Sequence, residues 1–317
     1  MFENLPLFPP QASTMAPRVD ALLYFLSAVS IFFASLIFIA IIVFAVKYRR
    51  RPGRENGTPI EGNIPVEIFW SVVPLGIVMV MFYWGAVVFF DMRQPPANAL
   101  GLSVVGRQWM WKIQHPEGQS EINELHVPLG QPVKLTMTSE DVVHSFFVPA
   151  FRVKMDVLPG RYNTMWFQAT REGVYHMFCT EYCGTLHSGM IGRVVVMEPA
   201  EYQRWLGEGA TGVSMADVGA ELFERLGCGT CHRPDGKGQG PSLVGLFGKT
   251  VKLQDGRTAT ADEAYIRESI VNPHAKITAG YPPVMPTFKG LVDEGGILQI
   301  IDYLKSLQTE ERAQAGR

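Results

Sequence analysis

The chain is poor in cysteine. It has four in 317 residues, and they fall into two close pairs, Cys179/Cys183 and Cys228/Cys231. With both pairs used locally, none is left for the disulfide framework of a small secreted domain. Net charge is scarce as well, −2 at neutral pH. A chain so nearly neutral lacks the electrostatic footprint of a nucleic-acid partner. Residues 1–20 are Pro-rich and irregular and lack the basic n-region of a secretory signal. Two long stretches, Ala21–Val46 and Ile68–Phe90, contain no charged residue at all.

A bilayer span needs about 20 apolar residues, and a single charge at a helix centre costs about 2.5–3.5 kcal/mol. Both uncharged stretches meet that demand. Pro74 inside the second is tolerated in a membrane helix whose neighbours satisfy the freed carbonyl. Trp70 and Trp84 suit the interfaces. The basic residues gather between the spans, at Lys47, Arg49, Arg50, Arg51 and Arg54. By the positive-inside rule this loop is cytoplasmic, so both termini and everything after about residue 91 lie outside. A soluble hairpin would not need that basic loop. Glu67 opens the second span, behind a capping Asn63 and a helix-starting Pro65. A carboxylate there complements the helix dipole without further function.

The densest chemistry is in Cys179-Thr180-Glu181-Tyr182-Cys183-Gly184-Thr185-Leu186-His187-Ser188-Gly189-Met190. Thiolate and thioether sulfurs select soft metals such as copper, and imidazole suits copper, zinc and iron. A mononuclear blue-copper site uses two His, one Cys and a weak axial Met. Here there is one Cys too many, and two thiolates can instead bridge two copper ions. A second His must come from elsewhere, and His144, read as the end of a strand running into a Pro-bounded loop, is the best donor. A Cys179–Cys183 disulfide would leave His187 and Met190 unexplained. A structural Cys2His2 zinc site would leave Met190 unused.

His144 followed by Cys-x-Glu-x-Cys-x-x-x-His-x-x-Met resembles the CuA site of subunit II of haem–copper cytochrome c oxidases. The resemblance implies a dinuclear copper site with His144, Cys179, Cys183, His187 and Met190 as side-chain ligands and Glu181 giving its backbone carbonyl. It further implies magnesium or manganese on the Glu181 side chain at the boundary with the catalytic subunit. In Gly106-Arg107-Gln108-Trp109-Met110-Trp111, Trp109 matches the tryptophan through which electrons enter. The family usually has Tyr where Met110 stands. One of the two tryptophans is expected to pack in the core. Asp156–Arg161 matches a loop facing the catalytic subunit, and Glu67 matches a carboxylate at the mouth of a proton path.

Short alternating runs at residues 102–105, 133–137, 163–167, 174–178 and 193–196, separated by Gly, Pro and acidic turns, predict a Greek-key sandwich over 98–198. His115, His126 and His176 carry no motif and read as core or surface imidazoles. A linker over 199–212 leads to a second soluble module at 213–308, with a tail to 317. This module contains Cys228-Gly229-Thr230-Cys231-His232, the attachment motif of a c-type haem. No βαβ pattern surrounds it, as a thioredoxin-like reading would require. Predicted helices at 218–226 and 297–307 would cross closely at a glycine. The module resembles a class I cytochrome c, which implies covalent haem on Cys228 and Cys231, His232 and Met285 as axial ligands, and Pro241 holding the proximal imidazole. His274 is the rival sixth ligand.

The expected architecture is therefore a two-helix membrane hairpin, an all-β cupredoxin domain and an all-α cytochrome c domain. The resemblance is to subunit II of caa3-type oxidases. It implies electron relay from a donor, such as a soluble cytochrome c or a quinol-oxidising complex, through haem c and CuA to subunit I. There oxygen is reduced and protons are translocated. Neither span carries the histidines for internal haem, so that chemistry belongs to partner subunits. The implied location is a bacterial inner membrane with the soluble domains on its outer side. Two other readings remain: a subunit of a CuA-containing nitric oxide reductase, and a membrane-tethered carrier without a catalytic partner.

Overall fold

The computed structural model describes residues 8–52, 62–209 and 214–315. Arg54 of the basic loop lies outside them. The chain divides into two units, Thr14–Gln94 and residues 95–317 joined by the segment up to Ser13.

The first unit is a helical pair, α1 (Ala16–Lys47) and α2 (Ile64–Arg93). At 1.5 Å per residue these 32- and 30-residue helices are each roughly 45 Å long or more, ample for a bilayer. Their apolar side chains point outward: Ile31 is 66% exposed, Phe38 65% and Phe82 69%, a surface that only lipid suits. α1 starts before the expected span, at Ala16, because Pro17 has no N–H to lose in a first turn and so starts a helix rather than breaking one. Asn63 caps α2 as expected, its side-chain oxygen accepting from the Val66 amide. Arg18 and Asp91 pair across the two helices at 2.7 Å, both substantially exposed. Phe25 and Trp84 pack between them.

The second unit begins with ten strands. One sheet runs β3-β2-β1-β5-β8 and the other β4-β10-β9-β6-β7. The strands are β1 (Leu100–Arg107), β2 (Met110–Gln114), β3 (Ser120–Ile122), β4 (Glu124–Pro128), β5 (Pro132–Ser139), β6 (His144–Val148), β7 (Val153–Val157), β8 (Asn163–Gln168), β9 (Gly173–Cys179) and β10 (Ile191–Met197). Alternation drives the packing. Leu102 and Val104 of β1, Trp111 and Ile113 of β2 and Leu135 and Met137 of β5 are almost fully buried. Parallel pairs β1/β5 and β4/β10 close the Greek key. The segment before α1 joins this sandwich. Ser13 bridges to Ala169 and donates to the Phe151 carbonyl, and Arg152 donates to the carbonyls of Pro9 and Pro10.

Three expectations need correction. His144 starts strand β6 rather than ending one, since the bend at residues 140–143, which carries Glu140 and Asp141, precedes it. Asp156 belongs to β7, Pro159 bridges to Ser139, and the motif turns only at Gly160 and Arg161. The linker contains a full helix, α3 (Pro199–Gly209), because Tyr202 and Leu206, one helical turn apart, are both buried.

The second module holds α4 (Met215–Arg225), α5 (Cys228–Cys231), the hairpin β11 (Thr250–Lys252) and β12 (Thr258–Thr260), α6 (Glu263–Val271) and α7 (Glu294–Ala315). α7 therefore runs through most of the expected tail. Ser214 and Asp217 form a capping box at the start of α4. α4 and α7 cross at Gly219, where a Cβ would fall 2.0 Å from the Gln299 carbonyl oxygen.

Candidate metal centre and cofactor cavity

The Cys179–Met190 loop joins β9 to β10, and β9 pairs with β6 so that Phe146 lies opposite Cys179. That register brings His144 to the loop. His144 Nδ1 is 3.9 Å from Cys179 Sγ, and His187 Nδ1 is 3.3 Å from Cys183 Sγ. The two sulfurs are 3.8 Å apart, far beyond the roughly 2.05 Å of a disulfide. Met190 Sδ lies 3.9 Å from Cys183 Sγ, and the Glu181 carbonyl oxygen 3.3 Å from Cys179 Sγ. Ligating atoms of His144, Cys179 and Cys183 all fall within 4.8 Å of one another. All six predicted residues are brought together. The Glu181 side chain is exposed to solvent.

Burial alone would raise the Cys179 thiol, but contacts with His144, the peptide groups of Ser145 and Glu181, and Cys183 bring it down to about 6. Burial and the adjacent Cys179 charge push Cys183 up to about 12. One thiolate therefore forms readily and discourages the second. Such a pair suits an acceptor of two thiolates that brings its own positive charge.

Asp141 and Gln108, which carry no motif of their own, stand behind these groups. His144 Nε2 donates to Asp141 Oδ1 at 2.9 Å, fixing the tautomer that leaves Nδ1 toward the sulfurs. The Gln108 amide in turn donates to Asp141 Oδ2. The Gln108 side chain and the Trp109 indole both donate to the Cys183 carbonyl, at 2.8 and 3.2 Å. Gly106 gives the His144 ring room, since a Cβ there would sit 3.0 Å from its Cδ2. The available signal was a carboxylate three residues before the histidine. Trp109 is half-buried, whereas Trp111 is wholly buried and meets His144 and Phe146 edge-on. His115 and His126 share Glu121 inside the domain, and His176 is exposed.

In the second module, Cys228, Cys231 and His232 open onto an apolar cavity walled by Tyr265, Ile266, Ile270, Ile300 and Leu304. Met285 lines it, as does the exposed His274. His232 Nδ1 donates to the Pro241 carbonyl at 2.8 Å, leaving Nε2 unengaged by that bond. A Cβ on Gly240 would lie 2.7 Å from the His232 ring. Both thiols are free. The donor set, the oriented imidazole and the glycine cradle fit a covalently attached haem.

A membrane hairpin, a cupredoxin sandwich with a sulfur-rich metal loop and a cytochrome module define a membrane-anchored electron-transfer protein. The chain belongs to the cytochrome c oxidase subunit II family. Residues 119–198 match the family profile described as cytochrome c oxidase subunit II, periplasmic domain, and residues 216–308 that of cytochrome c. It is 31% identical over 253 residues to cytochrome c oxidase subunit 2 of Thermostichus vulcanus, covering 63% of this chain and 77% of that one. To the same subunit of Alkalihalophilus pseudofirmus it is 30% identical over 298 residues, covering 86% and 84%. The crystal structure of the periplasmic domain of subunit II of cytochrome oxidase from Bradyrhizobium japonicum is 30% identical, with a TM-score of 0.36 over 37% of this chain and 96% of that one. The chain is thus part of a haem–copper oxidase complex, with domains that point to copper and haem c.

Proposed function

We propose that this chain passes single electrons from its cytochrome module to a dinuclear copper site. From there they go to the haem–copper subunit that reduces oxygen, coupled to proton translocation, as in caa3-type oxidases. The observation that carries this is the pair of free thiols 3.8 Å apart, with His144 beside one sulfur and His187 beside the other. A copper pair shared by two thiolates would supply one-electron storage with little rearrangement. Cys179, Cys183, His144 and His187 would hold the metals, together with Met190 and the Glu181 carbonyl. Asp141 holds His144 in the required tautomer.

In the second module Cys228 and Cys231 would anchor haem c, and His232 and Met285 would hold its iron. Pro241 orients His232. Haem c supplies a one-electron couple, and a His/Met pair raises its potential. Trp109, whose indole donates to the Cys183 carbonyl, would receive electrons near the metal loop. The exposed Glu181 side chain is offered to magnesium or manganese at the subunit I boundary, a hard oxygen donor for a hard cation. Glu67, exposed in the first turn of α2, would stand at a proton path. The basic loop would face the cytoplasm, putting both soluble modules on the outer side of the cell membrane.

Metal analysis and electron paramagnetic resonance of the purified complex test the reading together with gas consumption. Two copper ions and one haem per chain, with oxygen consumed, are expected. One copper, or zinc, would overturn the dinuclear site. Nitric oxide consumption in place of oxygen would overturn the oxidase assignment.

A further inference from the structure

The cupredoxin and cytochrome modules meet across a built joint. Arg267 on α6 pairs through two nitrogens with Glu294 on α7, and turns Nη1 to the carbonyl of Gly160 in the cupredoxin domain at 2.8 Å. Those two side chains are only 12% and 13% exposed. Tyr162, two residues on, packs against the apolar core of the cytochrome module. Lys134 of β5 reaches Glu263 of α6 at 3.5 Å, and Lys305 of α7 holds the same carboxylate at 3.0 Å. Between these polar contacts, Val105 of β1 joins Met215 and Leu298 in an apolar cluster, each no more than 4% exposed. The Met215 amide donates to the Pro116 carbonyl at 3.1 Å.

Domains in one chain are expected to move unless their interface is apolar and well paired. This one has an apolar centre and a polar rim with matched partners, the anatomy of a stable interface. Helix geometry says what it holds. At about 100° per residue, Glu294, Leu298 and Lys305 share one side of α7, and Ile300 and Leu304, which wall the cavity, lie roughly a third of a turn away. On α6, Glu263 and Arg267 meet the cupredoxin domain while Tyr265, Ile266, Ser269 and Ile270 line the cavity, the two sets adjoining at Ile270. Both helices therefore touch the cupredoxin domain and wall the cavity. The apolar centre is also close to His144: Val105 is bonded to Gly106, where a Cβ would fall 3.0 Å from the His144 ring.

We propose that the cytochrome module is a permanently docked donor, locked by this joint at one distance from the metal loop, and not a tethered carrier that swings to deliver. The proposal rests on the haem-to-copper reading above. In each transfer one electron leaves the reduced haem iron and reduces the oxidised copper pair by one. No proton moves and no bond changes.

The test uses the full chain in its purified complex. The double variant Lys134→Glu/Tyr162→Ala alters only the cupredoxin side and touches no copper or haem ligand. Unaltered copper and haem spectra would show both modules folded, and Val105→Asp serves as a second variant if they are not. Pulsed magnetic resonance should find one narrow iron–copper distance in the native protein and a broad spread in the variant. Haem-to-copper transfer after a light pulse should slow at least tenfold. Hydrogen exchange at 160–162 and 263–267, which needs neither metal, should quicken in the variant. A broad native distance distribution, or a variant indistinguishable from native in distance and exchange, would overturn the lock. Wrong metal content with native exchange protection would instead overturn the electron-transfer reading and leave the docking standing.

Discussion

At the scale of single residues, the metal loop was legible because its chemistry is local. Cys179, Cys183, His187 and Met190 lie within one connection, so their spacing alone brings them together. Asp141 was not legible, since a carboxylate three residues before a histidine is unremarkable until strand β6 turns His144 inward and leaves Nε2 facing it. Its role is testable. Asp141→Asn keeps the size but removes the charge that fixes the His144 tautomer. Copper affinity should fall about 10- to 100-fold, the usual cost of losing such a partner. Competition titration with a copper chelator would measure it, and an unchanged affinity would refute the role. The exposed carboxylate of Glu181 makes a complementary prediction. Glu181→Gln should leave the copper spectrum nearly intact, because the carbonyl remains, yet abolish the manganese resonance of complex grown in excess manganese. A surviving manganese signal would show that this side chain is not a ligand.

At the scale of elements, helix α3 was readable in principle from Tyr202, Trp205 and Leu206 at helical spacing, but Gly207 and Gly209 made the stretch look like a linker. α3 is held by a buried group that no motif announced. Glu121 accepts from His115 and His126, His115 meets the Tyr202 hydroxyl at 2.9 Å, and Trp205 stacks on His126 at 4.4 Å. Burial works to raise the Glu121 carboxyl, but the hydrogen bonds from the two histidines outweigh it and hold the carboxyl below its usual range. A depressed carboxylate stabilises the fold above its unfolded pKa, about 4.3, and that contribution is lost as pH falls through the folded value. Thermal stability of the cupredoxin domain should therefore drop more steeply below about pH 4.5 in the native protein than in Glu121→Gln. Melting curves that stay parallel from pH 5 down to about pH 2.5 would refute this.

The α4–α7 crossing, in contrast, was foreseen from its glycine. Gly219→Ala should gain about 1 kcal/mol of helix propensity. Overpacking costs about 1–3 kcal/mol, and a Cβ 2.0 Å from a backbone carbonyl cannot be relieved by rotating a side chain. The clash should win, lowering the melting temperature followed at the haem band. A rise instead would mean that α7 shifts freely.

At the scale of the whole molecule, three architectures on one chain were visible because each leaves a different period in the sequence: uncharged runs, alternation, and an attachment motif between helices. The joint between the soluble modules was not. It depends on Gly160 meeting Arg267, Lys134 meeting Glu263 and Val105 meeting Leu298, pairs more than a hundred residues apart that no local pattern records. The segment before α1 was equally silent, read as irregular because its prolines exclude helix. Yet Ser13 bridges to Ala169 and Arg152 holds the carbonyls of Pro9 and Pro10. The backbone thus passes between the soluble unit and the helical pair twice, once at residues 13–14 and once at 94–95. A domain joined at two points of its chain stays attached when either one is cut. Cutting the chain between Ser13 and Ala16 would leave every ligand in place and the soluble unit attached through residues 94–95 alone.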